Sequence, residues 1–156
     1  MISKQANVHS GAKIANGVKV EAFATIYEDV EIGEGSWIGP NAVIMNGARI
    51  GKNVHIHPGA VISGDPQDMK YEGEATTVVI GDNTIIREYV TINKGTKANM
   101  STVVGKDCLI MSYVHIAHDC VLQDRIILGS YAGLAGEVEV DNWAIVIAGS
   151  LVHQFV

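Results

Sequence analysis

The 156 residues predict an all-β solenoid, a stack of short strands wound as one domain. Three observations predict it. An aliphatic residue recurs at every sixth position: Val8, Ile14, Val20, Ile26, Ile32, Ile38, Ile44, Ile50, Ile56 and Ile62, then Ile80, Ile86 and Ile92, then Val104, Ile110, Ile116, Leu122, Leu128, Leu134, Val140, Val146 and Val152. That step visits 25 positions between 8 and 152, and 22 of them are Val, Ile or Leu, so coincidence is excluded. A second column of small or β-branched residues stands two places earlier, as at Ala24, Ala42, Ala60, Val90, Cys108, Val114, Cys120 and Ala132. Finally, glycine often follows the aliphatic, as at Gly33, Gly39, Gly51, Gly81, Gly105 and Gly129, where it would supply bends that a side chain obstructs.

Positions i−2 and i lie on one face of a strand, so each hexad offers one short strand with two inward residues. A helix would scatter a period of six around its surface. One hexad cannot bury its own two apolar residues, whereas stacked hexads can. Abundant glycine, few aromatics and many branched aliphatics suit such close stacking.

Taken in order, hexads run unbroken from residue 8 to 62. Ser63 to Thr77 then interrupts them with a charged insertion, Gly64-Asp65-Pro66-Gln67-Asp68-Met69-Lys70-Tyr71-Glu72-Gly73-Glu74. The repeat resumes over 80–92, breaks again from Asn93 to Ser101, and continues from Val104 to Val152. Insertions at the corners of a solenoid usually carry binding function.

Composition excludes several classes. A net charge of −6, with no basic run, argues against wrapping nucleic acid. No apolar run approaches membrane-spanning length. The N-terminus has no signal-peptide pattern. Cys108 and Cys120 form no metal or redox motif, and as inward residues they are expected to be reduced core thiols. The expected location is cytoplasmic.

Beyond Val104, residues 18 apart are expected to stack if three hexads make a coil. His118, Gly136 and Gln154 then share one outward column. His115 lies between inward Val114 and Ile116 and points outward. An isolated outward histidine is ordinarily a solvated surface residue. Two of them beside Asp119, Gly136 and Gln154 make a patch with chemistry. A histidine can take a proton from one group and return it to another. A neighbouring carboxylate fixes its tautomer, and a glycine N–H can stabilise an oxyanion. No side-chain nucleophile is required. His9, His55 and His57 lie in the N-terminal coils and read as surface residues, although His55 and His57 could line a groove.

The hexad pattern resembles the hexapeptide-repeat acyltransferases. That resemblance implies a left-handed parallel β-helix with three flat sides and 18 residues per coil. Four local sequences narrow it: Gln67-Asp68-Met69-Lys70-Tyr71-Glu72-Gly73-Glu74, Ile86-Arg87-Glu88-Tyr89-Val90-Thr91-Ile92-Asn93-Lys94-Gly95-Thr96, His115-Ile116-Ala117-His118-Asp119-Cys120 and Val152-His153-Gln154-Phe155. In this order they resemble the UDP-N-acetylglucosamine acyltransferases. These enzymes move a 3-hydroxyacyl chain from acyl carrier protein to the sugar 3-position in the first step of lipid A synthesis.

The resemblance implies catalytic roles for His118 as general base, Asp119 as its orienting partner and Gly136 as backbone donor. It implies substrate contacts from Gln67, Asp68, Lys70, His115, His153 and Gln154. Glu137 and Asn93 stand where the family has histidines. The resemblance further implies no cofactor or metal, and a homotrimer with sites between subunits, in which the first insertion would reach the His118 patch of a neighbour. The chain ends at Phe155-Val156, and the expectation is that the family's C-terminal helical part is lacking and the last coil uncapped. Other readings stay open at this point: a γ-class carbonic anhydrase-like zinc enzyme, with His115 and His118 as two ligands; another hexapeptide acetyltransferase; and an inactive scaffold. The acceptor group, 3-hydroxyl or 3-amino, and the acyl-chain length are left undecided.

Overall fold

A computed structural model describes residues 1–156. It contains only strands, turns and loops, as expected. Twenty-two short strands form three parallel sheets, with every third strand in the same sheet. The first sheet has eight strands, from Asn7–Val8 to Leu151–Val152, and includes His115–Ile116 and Gly133–Leu134. The second has seven, from Lys13–Ile14 to Glu139–Val140. The third, also of seven, runs from Lys19–Val20 to Ile145–Val146. The chain is a three-sided prism, one hexad to a side.

The pairing explains the two interruptions. Val43 pairs with Val61 and His115 with Gly133, each 18 residues on. Val61 pairs with Thr91, 30 residues on, and Thr77 with Ser101, 24 on. The first insertion therefore replaces two hexads and the second replaces one. They occupy 65–76 and 94–100, slightly inside the expected bounds, because Val61–Gly64, Thr77–Ile80 and Ser101–Val104 extend as strands. Asp68, Glu74 and Ala98, the three non-aliphatic positions of the sixfold series, all fall within them.

Both inward columns fill the prism. Ile44, Ile56, Ile62, Ile86, Ile110 and Ile116 are fully buried, with Ala42, Ala60, Val90 and Val114 beside them. Each such isoleucine contributes roughly 1.5–3 kcal/mol, as an upper estimate. Inward hydroxyls are bonded, as buried polar groups must be. Ser36 donates to the Gly51 carbonyl at 2.9 Å and Thr84 to that of Gly105 at 2.7 Å. Val8, Ile14, Val146 and Val152 are only partly buried, since the coils at either end are covered on one side alone.

The glycines after the aliphatics have a different role from the one expected. A Cβ on Gly105 would stand 2.3 Å from the Gln123 carbonyl oxygen of the next coil, and one on Gly129 would stand 2.4 Å from Ala148 N. They permit close approach between coils. The bend itself lies two residues later, where in most hexads the residue before the small inward one takes left-handed backbone, as at Asn41 (φ 58°), Asn83 (59°), Tyr113 (62°) and Asp119 (61°). The N–H of these residues bonds the previous coil, as Tyr113 does to Glu88 O at 3.0 Å and Glu137 to His118 O at 3.0 Å. Repeated coil after coil, those bonds hold the corner.

Candidate active site

His118 sits at the corner where the first sheet turns into the second, and its place follows from stacking. Ile116 pairs with Leu134, so Gly136 lies one coil below His118. A Cβ on Gly136 would be 2.5 Å from His118 Cε1 and 2.7 Å from Nε2. The imidazole rests on the glycine backbone. His118 is consequently 9% exposed, more enclosed than the expected outward residue.

Asp119 is buried at the same corner and accepts the His118 Nδ1–H at Oδ2, 2.8 Å away. The second insertion supplies the rest of its shell. Thr96 N–H donates to Oδ1 at 2.9 Å, Asn99 N–H to Oδ1 at 3.1 Å, and the Thr96 hydroxyl to Oδ2 at 2.5 Å. Burial alone would raise the Asp119 carboxyl; the bonds from Thr96, His118 and Asn99 outweigh it and hold the group below its ordinary range. The carboxylate is ionised and fixes the proton on Nδ1, so the free lone pair of His118 is on Nε2.

Asp68, on the first insertion, places Oδ2 3.9 Å from that Nε2. It does so within one chain. The expectation that this loop would reach the His118 of a neighbour is corrected: the insertion leaves the prism at Gly64, on the same sheet as His115, and folds back over its own corner.

His118 lines an open groove of about 520 Å³ with Gln67, His115, Gly136, Leu151 and His153 among its walls. His115 faces it from the first sheet, half-buried, with Nδ1 2.7 Å from the Thr91 hydroxyl. Burial lowers its pKa, so the ring is neutral at pH 7. A second pocket, of about 240 Å³, adjoins through Asp68 and brings together Lys70, Glu74, Thr96, Lys97 and Glu137. Gln154 continues the column below Gly136 but does not line the groove; its carbonyl lies 3.2 Å from His153 Nδ1. Gln67, Asp68, His115, Asp119, Gly136 and His153 gather around His118, while Lys70 lines the adjoining pocket.

Gly136 N–H makes no hydrogen bond. At the corner between the second and third sheets the next coil caps the corresponding groups: Lys52 N–H donates to Asp82 Oδ1, Lys106 N–H to Asp124 Oδ1, and Asp124 N–H to Asn142 Oδ1. A free, buried donor beside a base is available to a ligand.

Both departures from the family pattern have identifiable surroundings. Glu137 faces the adjoining pocket with Lys70 and Asp68. Asn93 is buried, donates from Nδ2 to the Asp65 carbonyl at 3.0 Å, and leaves Oδ1 without a partner. Sequence reasoning missed Thr96 and Asn99, since a threonine and an asparagine in a loop carry no spacing that ties them to residue 119. His57 is no free surface residue: it packs edge-on against Trp37, 5.2 Å between ring centroids, with Nδ1 3.4 Å from Glu88 Oε1.

The family model described as bacterial transferase hexapeptide (six repeats) matches residues 29–64 and 101–136. The chain is 56% identical over 96 residues to an acyl-[acyl-carrier-protein]–UDP-N-acetylglucosamine O-acyltransferase of Aliivibrio fischeri, a match covering 61% of this chain and 37% of the relative. The structure of the UDP-N-acetylglucosamine acyltransferase of Francisella novicida superposes with a TM-score of 0.97 at 44% identity, over 99% of this chain and 57% of that one. That of Bacteroides fragilis gives 0.95 at 47%, over 99% and 61%. The chain thus spans little more than a third of the curated relative's length in the first match and about three fifths of the solved structures. The superposition extends over both insertions, and the prism is a left-handed parallel β-helix. In repeat, fold and identity, the chain is similar to the hexapeptide transferases and, over the part it shares with them, to the UDP-N-acetylglucosamine acyltransferases.

Proposed function

We propose that this protein transfers a 3-hydroxyacyl chain from acyl carrier protein to the 3-position of UDP-N-acetylglucosamine, the first step of lipid A biosynthesis, in the cytoplasm. The observation that carries the reading is the His118 imidazole, held at Nδ1 by Asp119, resting on Gly136 and presenting Nε2 to the groove beside Asp68. The 3.9 Å between Nε2 and Asp68 Oδ2 is too long for a hydrogen bond. A hydroxyl placed between the two groups can bond to both.

Transfer is direct. His118 Nε2 takes the proton as the sugar oxygen attacks the thioester carbonyl. Gly136 N–H donates to the oxyanion. As the tetrahedral intermediate collapses the carbon–sulfur bond breaks, and the imidazolium returns its proton to the thiolate of acyl carrier protein. Asp119 stabilises the imidazolium without accepting the proton. Gln67, Asp68 and Lys70 hold the acceptor from above, His115 and His153 from the groove wall. Gln154, one coil below Gly136, reaches the acceptor only if the substrate extends past the groove.

The working form is a homotrimer. The outer face of the third sheet carries Ile85, Met111, Ile145 and Ile147, all exposed, with a stacked run of Tyr89, Tyr113 and Tyr131 at its edge toward the groove sheet. An apolar face of that kind is suited to burial against another copy, and a neighbour beside the first sheet would close the open groove.

UDP-N-acetylglucosamine titrated into isotopically labelled protein should shift His115, His118 and Gly136 and leave the N-terminal coils unmoved. Shifts confined to coils before residue 60, or none at millimolar nucleotide sugar, would contradict this reading.

A further inference from the structure

Asp119 is bonded at every polar atom it has. Besides the donors to its carboxylate, its N–H donates to Thr102 Oγ1 at 2.8 Å and its carbonyl accepts from Asn99 Nδ2 at 3.2 Å. Thr96 and Asn99 both lie on the second insertion, which is tied in turn to the first. Lys94 Nζ stands 2.9 Å from Asp65 Oδ1, Lys97 Nζ stands 2.6 Å from Glu72 Oε2, and the Thr76 hydroxyl donates to the Gly95 carbonyl. The insertions thereby flank both ends of one imidazole: the second holds Nδ1 through Asp119, and the first brings Asp68 to 3.9 Å from Nε2.

We propose that Thr96 and Asn99 are positioning residues, which set the tautomer and tilt of His118 by fixing the rotation of the Asp119 carboxylate. Oδ2 is shared between the Thr96 hydroxyl and His118 Nδ1–H. The hydroxyl fills one lone-pair direction and leaves the other aimed at the ring. Two N–H donors pin Oδ1, and the hydroxyl on Oδ2 sets the rotation of the carboxylate about that point. Without the hydroxyl the carboxylate can swing, the Nδ1–H tautomer loses its advantage, and part of the population carries the proton on Nε2, where no base is available to the groove. The effect on turnover rests on the acyltransfer reading; the effect on the tautomer does not.

The test compares Thr96→Val, Thr96→Ser and a control, Thr77→Val, which removes the bond between Thr77 Oγ1 and Ser101 Oγ, away from Asp119. Nitrogen NMR of His118 reads the tautomer, and steady-state assay with 3-hydroxyacyl carrier protein and UDP-N-acetylglucosamine reads kcat and KM. In Thr96→Val the Nδ1–H tautomer should give way to a mixture, and kcat should fall roughly tenfold, the worth of one hydrogen bond to a charged group, with KM nearly unchanged. Thr96→Ser should restore both, and Thr77→Val should change neither. Thr96→Ala should move the tautomer the same way, which keeps the test open if valine disturbs the loop. An unchanged tautomer in both Thr96→Val and Thr96→Ala, or failure of serine to rescue, overturns the proposal. A shifted tautomer in a protein that transfers no acyl group upholds the positioning role and removes the assigned reaction.

Discussion

The imidazole of His118 lies against the Cα of Gly136, so closely that a single added methyl at Gly136 would meet its ring at 2.5 Å. The glycine has two functions at once. Its missing side chain makes the bed for the base, and its N–H, unbonded, is beside the base. Gly136→Ala should push the ring off its axis while Asp119 holds Nδ1. A displacement of this size can cost on the order of 10² in kcat. Thermal unfolding should change little, because the methyl meets one side chain at the surface of the core. Near-normal turnover in Gly136→Ala would contradict the stacking.

The two thiols are expected to be inert. Cys108 and Cys120 point into the prism from different sides and are buried and unpaired. Burial pushes the Cys120 thiol up to about 11 and raises Cys108 as well. A thiol reagent at pH 8 should label neither until the protein unfolds, and rapid labelling of folded protein would refute their placement.

Glu88 offers a pH test away from the groove. The Arg87 guanidinium, its own backbone N–H and the Ser112 hydroxyl hold its carboxyl at about 2. A depressed carboxylate stabilises the fold fully above its unfolded value of about 4.3. That contribution declines as pH falls below 4.3 and is gone once pH passes through about 2. Arg87→Ala and Ser112→Ala should each raise the Glu88 pKa measured by carbon NMR, with Arg87→Ala the larger. An unshifted Glu88 in both variants would show that the pairs are solvent-separated.

Association should bury the third sheet. Sedimentation at micromolar concentration should give the mass of three chains, and Ile145→Lys, which places a charge on the exposed column, should weaken the assembly. A monomer under these conditions would leave the apolar face unexplained.

Much of the fold was legible because the repeat states its own geometry. A period of six with inward pairs leaves no alternative to stacked short strands, and the three positions that break the series mark the insertions. His118 and Gly136 could be stacked by counting 18. Less was legible where the chain leaves the repeat. Nothing in the spacing of Thr96, Asn99 and Asp68 says that they fold onto residues 118 and 119, since loops are placed by hydrogen bonds whose partners are remote in sequence. The glycines were located correctly and explained only in part, because contact between coils and backbone turning are separate demands met by different columns. Glu137 and Asn93 were recognisable as departures from a pattern, but their surroundings came only from the structure.

Loss and ranking of turnover in histidine and aspartate variants test the central claim most directly. Acyl transfer from 3-hydroxyacyl carrier protein to UDP-N-acetylglucosamine should be catalysed by the protein and fall by on the order of 10²–10⁴ in His118→Ala, the usual worth of a general base. Asp119→Ala should fall less, since an unheld imidazole still accepts protons, and His115→Ala least, since that ring contacts substrate without moving the proton. KM for the nucleotide sugar should change little in His118→Ala. Near-normal turnover in His118→Ala, or a greater loss in His115→Ala, would contradict the assignment of the base.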